Sequence, residues 1–549
     1  HATLSVWNGD RVTVYDATQG IFGVRNTIAK AFQLPPENVR VVSYFVGGGF
    51  GSKGSAWSHV LLSALAAKQV GRPVKLVLTR KQMFGPVGAR PRTVQHVQLG
   101  AMRDGQLTAI RHVSTSNTSM LEDWLEPSAV STRIIYAAPN CQTDHALARI
   151  NVGTPTFMRA PGEASGTFAL ESAMDELSYA LQMDPVALRL RNYAEQDPES
   201  NKPWSSKSLR QCYQEGMERF GWSRRTPQPR SMTDGRWLVG YGMATATYPA
   251  KRDKAQALAR IFPDGRGWVL AGSQDIGTGT YTVMTQIAAD GLGLPPERVR
   301  FELGDTLMPE NPGSGGSRTA ASTGSAVQAA ARGARRVAIQ MAISDPASPL
   351  HAAQEDDVRV ADGRMYLASN PSVGETYVQL IARHGNKPIE ALETAQPGDE
   401  AKQYSMHSFG AVFTEVRVDR DLGEIRVPRV VGVYGVGNRL NAKTAQSQLI
   451  GGIVFGIGMA LMEEVHVDPH NGRYVNSDLA NYHVPVSADV HTIDVHFVDE
   501  KDPYVNPLGI KGIGEIGITG LSASIANAAY HATGKRIRDL PLTPDKLLV

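Results

Sequence analysis

Short runs of alternating apolar and polar residues, broken by glycine, give way along this chain to stretches with helical spacing. Arg11 to Val14 has strand character, Gly20 to Phe32 places apolar residues at helical intervals, and Val39 to Phe45 is a β-branched run of period two. The turn Gly47-Gly48-Gly49-Phe50-Gly51-Ser52 comes next, then a predicted helix from about Ser55 to Val70 and a strand from Val74 to Leu78. Strand, glycine turn, helix and strand in that order make an α/β unit whose turn can cradle an anion at a helix N-terminus. Thr167 to Gln182 predicts a strongly amphipathic helix. Asp184 and Pro185 then supply the N-cap and first residue of another, Val186 to Tyr193.

Between Ala194 and Arg236 the pattern weakens into Pro, Ser, Gln, Asp and Arg with one short helix, which makes this the best boundary. A second α/β region begins with strands at Val239 to Thr247 and Ala257 to Phe262. Residues 344–403 read as a polar excursion carrying small strands. Val412 to Val418 and Ile425 to Val433 form a hairpin, because Asp421-Leu422-Gly423-Glu424 supplies its turn. Leu449 to Leu461 is a helix of small residues suited to close packing.

A length of 549 residues exceeds one core and suggests about three or four folding units. With 42% hydrophobic and 20% charged residues the composition is ordinary for a globular protein. The net charge of +3 and the absence of basic runs give no nucleic-acid track. No run of about 18 apolar residues is evident, so no membrane span is expected. The chain starts at His1 in strand-like sequence without a signal-like leader, which suggests a segment upstream; the compartment, cytoplasmic or periplasmic, stays open. Two cysteines, Cys141 and Cys212, exclude a disulfide scaffold and any four-cysteine zinc or iron–sulfur site within this polypeptide.

The densest chemical signal is Leu508-Gly509-Ile510-Lys511-Gly512-Ile513-Gly514-Glu515-Ile516-Gly517, one carboxylate among glycines ahead of an Ala/Ile-rich helix. Glycine allows close approaches that a β-carbon blocks, so Glu515 can stand against a bulky ligand; a plain loop glutamate capping the helix is the alternative. Five other segments share small residues, hydroxyls and exposed amides: Asp16 to Gly20, Gly47 to Ser52, Gln274 to Thr280, Gly313 to Ser325 and Gln446 to Gly452. Together they suggest many neutral donors around a large polyanionic ligand. A Walker lysine, a dinucleotide fingerprint and a nucleophile elbow are all missing. His59, His96, His112, His145, His407 and His483 are not spaced as metal ligands.

In that order, these segments resemble the molybdopterin-binding large subunit of the xanthine dehydrogenase/aldehyde oxidase family of molybdenum hydroxylases, over essentially the whole chain. Gln19 matches the glutamine that hydrogen-bonds the apical molybdenum oxygen. Gly47 to Lys53, with Gly48, Gly49, Phe50 and Gly51, is similar to the family's Gly-Gly-Phe-Gly-Gly-Lys turn. Phe157-Met158-Arg159-Ala160-Pro161-Gly162 resembles its Phe-Arg-Gly-Phe-Gly turn, with Arg159 on the arginine whose backbone amide faces the metal. Gln274, Ile276, Gly277, Thr278, Gly279 and Thr280, then Ala321, Ser322, Gln448, Lys511 and Gly512, match segments holding the pterin and its nucleotide. Glu515 falls on the catalytic glutamate.

The resemblance implies an α/β fold of mixed α+β character. It has two large elongated cofactor-binding domains, 1–225 and 226–549, with mixed sheets, packed helices and the cofactor at their interface. A further family domain lies upstream of the counterpart of His1. One molybdenum is held by the pterin dithiolene rather than by protein ligands, and the cofactor is the cytosine dinucleotide form carried by bacterial members with split subunits. Glu515 is then a general base for hydroxylation with water-derived oxygen. No iron–sulfur cluster or FAD belongs to this chain, so an iron–sulfur small subunit and a FAD subunit are implied partners. Gly54 stands where purine oxidases of the family carry a glutamate, and the loop Trp124 to Pro127 lacks their binding arginine. Both departures favour a small-molecule aldehyde over xanthine. Hydroxylation of an N-heteroaromatic or purine ring, or a truncated non-catalytic cofactor-binding role, remains the alternative.

Overall fold

The structure, a computed structural model, describes residues 1–548. Its first sheet is mixed. Ala2–Asn8 runs antiparallel to both Arg11–Asp16 and Val74–Val77, and Val39–Val42 joins Arg11–Asp16 in parallel. Alternation along these strands turns Val12, Val14, Val39 and Val41 to one face, where they pack on Ile21, Val24 and Ile28 of the helix Ile21–Phe32. After the glycine turn the next helix starts only at Ser58, so residues 53–57 separate them and the turn is not that helix's N-terminus. The anion-cradle expectation fails there.

A sheet of Thr93–Ala101, Leu107–Thr118 and Cys141–Arg149 packs against the helix Glu163–Ala180. This helix begins before the predicted Thr167. It buries Glu163, Gly166, Leu170, Glu171, Met174 and Asp175 around much of its circumference, so it is a core helix rather than a strongly amphipathic one. Asp184 caps Pro185–Arg191 as predicted, accepting from the amides of Val186 and Ala187 at 2.8 and 3.1 Å. Beyond it, the helix Leu209–Phe220 lies on the strands His407–Asp419 and Ile425–Gly435, so the polar stretch after Ala194 is built into the sheet that follows.

That sheet has five strands, with the hairpin His407–Asp419 and Ile425–Gly435 beside Trp237–Pro249. The helix Leu521–Thr533 sits on it very closely. A β-carbon at Gly240 or Gly242 would run into the backbone of Ala528 or Ser524. A four-stranded sheet, Val299–Glu302, Gly267–Leu270, Ala255–Ile261 and Ile389–Ala395, carries the helices Thr280–Leu292 and Thr319–Ser344 through buried alanines of the latter. Residues 344–403 hold small strands as expected, three of which form their own sheet. One expectation is corrected. The helix Ala442–Leu461, with mean hydropathy 1.3, is long and apolar enough to cross a membrane. In the fold its Leu449, Gly452, Ile453, Gly456 and Ile457 are buried, with Gly452 and Gly456 against Gly517 and Leu521.

Candidate active site

A cavity of about 600 Å³ is walled by residues running from Gln19 to Glu515, and all five glycine- and hydroxyl-rich segments contribute to it. Three helices also begin at its wall: Thr280–Leu292 through Thr280 and Val283, Thr319–Ser344 through Thr319 to Ala321, and Ala442–Leu461 through Thr444 and Ala445. Helix first turns expose unpaired N–H groups and the positive end of the backbone dipole, which favour anions. Arg318 and Arg439 line the wall too, so the donors are not all neutral, contrary to the sequence reading. Arg318 pairs with Asp253 at 2.6 Å, and Arg439 lies over the Phe497 ring at 5.3 Å.

Gln19 ties two walls together. Its Oε1 accepts from the amides of Gly51 and Lys53 at 3.0 and 3.3 Å, and its Nε2 donates to the Ser314 carbonyl at 2.7 Å. Those partners fix which end is oxygen. One N–H of Nε2 is left for the cavity. Gly49 must be glycine because a β-carbon there would overlap the Gln19 side chain, and at Gly51, with φ +106, it would meet the Phe157 carbonyl.

Glu515 is held from two sides. Ser317 Oγ donates to its Oε2 at 2.8 Å and the amide of Ala160 to its Oε1 at 3.2 Å. Ser317 adopts φ +54, a left-handed conformation that costs about 1–3 kcal/mol for a non-glycine residue. Arg159 braces the same corner: its Nε and Nη2 donate to the carbonyls of Gly514 and Gln448, each at 2.7 Å. Burial pulls the Arg159 pKa down to about 10, with the Glu515 charge opposing, so the guanidinium stays protonated at neutral pH. The Arg159 amide donates to the Phe50 carbonyl at 2.8 Å. It is therefore spent inside the protein, and the next amide of the turn, Ala160, is the one that reaches Glu515.

Other groups at this end were not singled out in the sequence. Tyr248 lines the cavity, and burial first, then the charge of Glu515, keeps its phenol proton on far above its ordinary range. Burial also raises Glu163 to about 8; its Oε2 is buried with no hydrogen-bond partner. Both sit in apolar strand or helix context, where periodicity reads them as core. Ser317 lies within the candidate segment Gly313 to Ser325 but was not distinguished from its neighbours there.

Of the remaining predicted residues, Phe50, Ile276, Gly277, Thr278, Thr280, Ala321, Gln448, Lys511 and Gly512 line the cavity. Lys511 does so with its backbone: its ammonium is buried between Glu500 at 2.8 Å and Asp502 at 3.4 Å, anchoring the turn that carries Glu515. Gly48, Gln274, Gly279 and Ser322 stand behind the wall. Gln274 is buried and accepts from the Ser314 amide at 3.0 Å, and Ser322 Oγ accepts from the Asp253 amide at 2.9 Å. Gly279 supplies the left-handed start of its helix, and Gly48 lies under the Phe50 ring. Among the described residues no group of three His, Cys, Asp or Glu side chains converges as a metal site.

Residues 1–193 and 215–491 each match a molybdopterin cofactor-binding domain model. The chain is 39% identical over 549 residues to the aldehyde oxidoreductase molybdenum-binding subunit PaoC of Escherichia coli O157:H7, covering 100% of this chain and 73% of that protein. It is 30% identical over 562 residues to the xanthine dehydrogenase molybdenum-binding subunit of Escherichia coli O157:H7, covering 99% and 74%. In fold it is similar to quinoline 2-oxidoreductase from Pseudomonas putida 86, with TM-score 0.90, 23% identity, and 99% of this chain and 73% of that one covered. The chain therefore belongs to the molybdopterin-binding subunits of the aldehyde oxidoreductase/xanthine dehydrogenase family, the molybdenum hydroxylases.

The residues present fit that cofactor. About 600 Å³ is within the usual range for sites taking large organic ligands. Three helix starts suit a diphosphate, and a β-carbon at Gly277 would meet no atom within 4 Å, so that stretch leaves room for a ligand.

Proposed function

We propose that this chain is the catalytic subunit of an enzyme that oxidises an aldehyde to a carboxylic acid, aldehyde plus water giving acid, two protons and two electrons. The observation that carries this is Glu515, held at the cavity by the Ser317 hydroxyl and the Ala160 amide. When bound, the molybdenum cofactor supplies the oxidising centre and the water-derived oxygen. The helix starts at Thr280, Thr319 and Ala442, with Gly277, Thr278, Ala321 and Gln448, bind its pterin and phosphates. The free N–H of Gln19 Nε2 reaches into the site, and Arg159 keeps the Gly514 and Gln448 carbonyls in place.

Glu515 acts as general base, taking a proton on the carboxylate, and two hydrogen bonds keep its orientation through that transfer. Tyr248, at the same end of the cavity as Glu515, offers a phenol O–H to the substrate oxygen. Phe157, Met158 and Phe50 exclude water. Aldehyde is favoured over purine by Gly54: the cavity has no second carboxylate there, and a β-carbon would stand 3.1 Å from the Gly51 carbonyl and 3.5 Å from the Phe157 ring. The cofactor form is the cytosine dinucleotide. Its electrons leave through a separate iron–sulfur subunit and a FAD subunit, since Cys141 and Cys212 alone cannot ligate a cluster. Within the chain, 1–225 and 226–549 act as two cofactor-binding domains, the helix Leu209–Phe220 at the end of the first packing on the sheet of the second.

The test uses the assembled complex. Molybdenum analysis and acid release of a cytidine nucleotide check the cofactor; turnover of aromatic aldehydes with little xanthine oxidation checks the substrate. Xanthine oxidation with no aldehyde turnover overturns the reading.

A further inference from the structure

We infer that the substrate of this site carries an anionic group, a carboxylate, remote from its carbonyl, and that the Lys251 ammonium receives it. This rests on the aldehyde reading above. Lys251 follows the strand Trp237–Pro249 that presents Tyr248, and its ammonium lies 5.7 Å from the Tyr248 ring centroid. Its stem runs along Gly316, where a β-carbon would be 3.5 Å from Cδ and 3.9 Å from Nζ. Gly316 adjoins Ser317, the donor to Glu515, so Lys251 stands at the Glu515 end of the cavity, at its solvent-exposed mouth.

The other cations of the wall are engaged: Arg318 with Asp253, Lys511 with Glu500 and Asp502, Arg159 with two carbonyls, and Arg439 over Phe497. Lys251 makes no ion pair among the described residues. Of the carboxyl groups facing this corner, Glu126 pairs with Arg90 at 2.7 Å, and Glu163 is buried, which keeps its proton on up to a pH of about 8. Glu515 faces the reacting carbon. A substrate with a hydrocarbon body lies against Phe157, Met158 and Pro161, presents its carbonyl to Glu515, and leaves its charged end beside Lys251.

The experiment compares kcat/KM for 4-carboxybenzaldehyde and benzaldehyde in the molybdenum-loaded complex at low ionic strength. The carboxylated aldehyde should be preferred by about two- to fivefold, as expected of a partly exposed ion pair. The preference should vanish in Lys251→Met, invert in Lys251→Glu, return in Lys251→Arg and shrink at about 1 M salt. Binding of the products without turnover, terephthalate against benzoate by calorimetry, should show the same order. Equal ratios in wild type and Lys251→Met overturn the inference. So does loss of molybdenum or nucleotide from Lys251→Met, which would assign the ammonium to the cofactor. If neither aldehyde is oxidised while xanthine is, the aldehyde reading fails, and the calorimetric comparison decides the anionic preference by itself.

Discussion

Glu515 was legible from sequence because four glycines and apolar neighbours around one carboxylate have few structural uses. What holds it was not, since Ser317 and Ala160 lie far from it in sequence, and a backbone amide carries no residue-type signal. Glu515→Gln should keep the cofactor, as checked by metal analysis, while turnover falls by about 10²- to 10⁴-fold, the usual contribution of a positioned base. Ser317→Ala should lower kcat by about ten- to a hundredfold with molybdenum content kept, because a hydrogen bond to a charged group is lost. Gln19 and Arg159 were picked out as residue types, but their partners were not, and the Arg159 amide turns to the Phe50 carbonyl. Their polar atoms mostly bind protein, because buried donors and acceptors must be paired whether or not a ligand is near. Glu163 gives a prediction in pH. Its folded pKa, about 8, is raised above the ordinary 4.5, so the proton is bound in the native state between those values and released in the unfolded one. Stability from this group is full below about pH 4.5 and is lost as pH rises to about 8. Thermal melts should show Glu163→Gln more stable than wild type by a few degrees at pH 8 and little changed at pH 4.5.

At the level of elements, strands and the hairpin followed the alternation of the sequence, and their bounds moved by only a few residues. The helix at Glu163 did not: its apolar stripe is real, but Ser, Thr, Asp and Glu on the other faces are also buried, and several of them, Glu171 and Asp175 among them, are paired with groups that no local pattern announces. Ala442–Leu461 begins seven residues before the small-residue stretch read from the sequence, because its first two turns carry Lys443, Thr444, Gln446, Ser447 and Gln448 and dilute the apolar signal. Close packing by glycine is testable at two places. Gly242→Val should destabilise by about 1–3 kcal/mol or more in denaturant titration, since the helix Leu521–Thr533 must move off its sheet. Gly51→Ala should reduce molybdenum content severalfold, because both its φ of +106 and the Phe157 carbonyl forbid a β-carbon in a turn that Gln19 holds.

Taken as a whole, the molecule gathers around this cavity segments hundreds of residues apart, joined across it by Gln19 to Ser314 and Arg159 to Gly514. The order of those segments could be read from the chain, yet their convergence could not, because no local rule places residue 19 beside residue 314. A ligand bound only by the folded state adds stability with concentration over dissociation constant. The protein freed of cofactor should therefore melt at a lower temperature than the loaded form, as a thermal shift assay would report. The turn bearing Glu515 is also nearly the last part of the wall to be translated. The three helix starts of the wall all precede it in the chain. A site pieced together from parts so remote is all-or-none: its grip exists only once the segment carrying Glu515 has joined the rest.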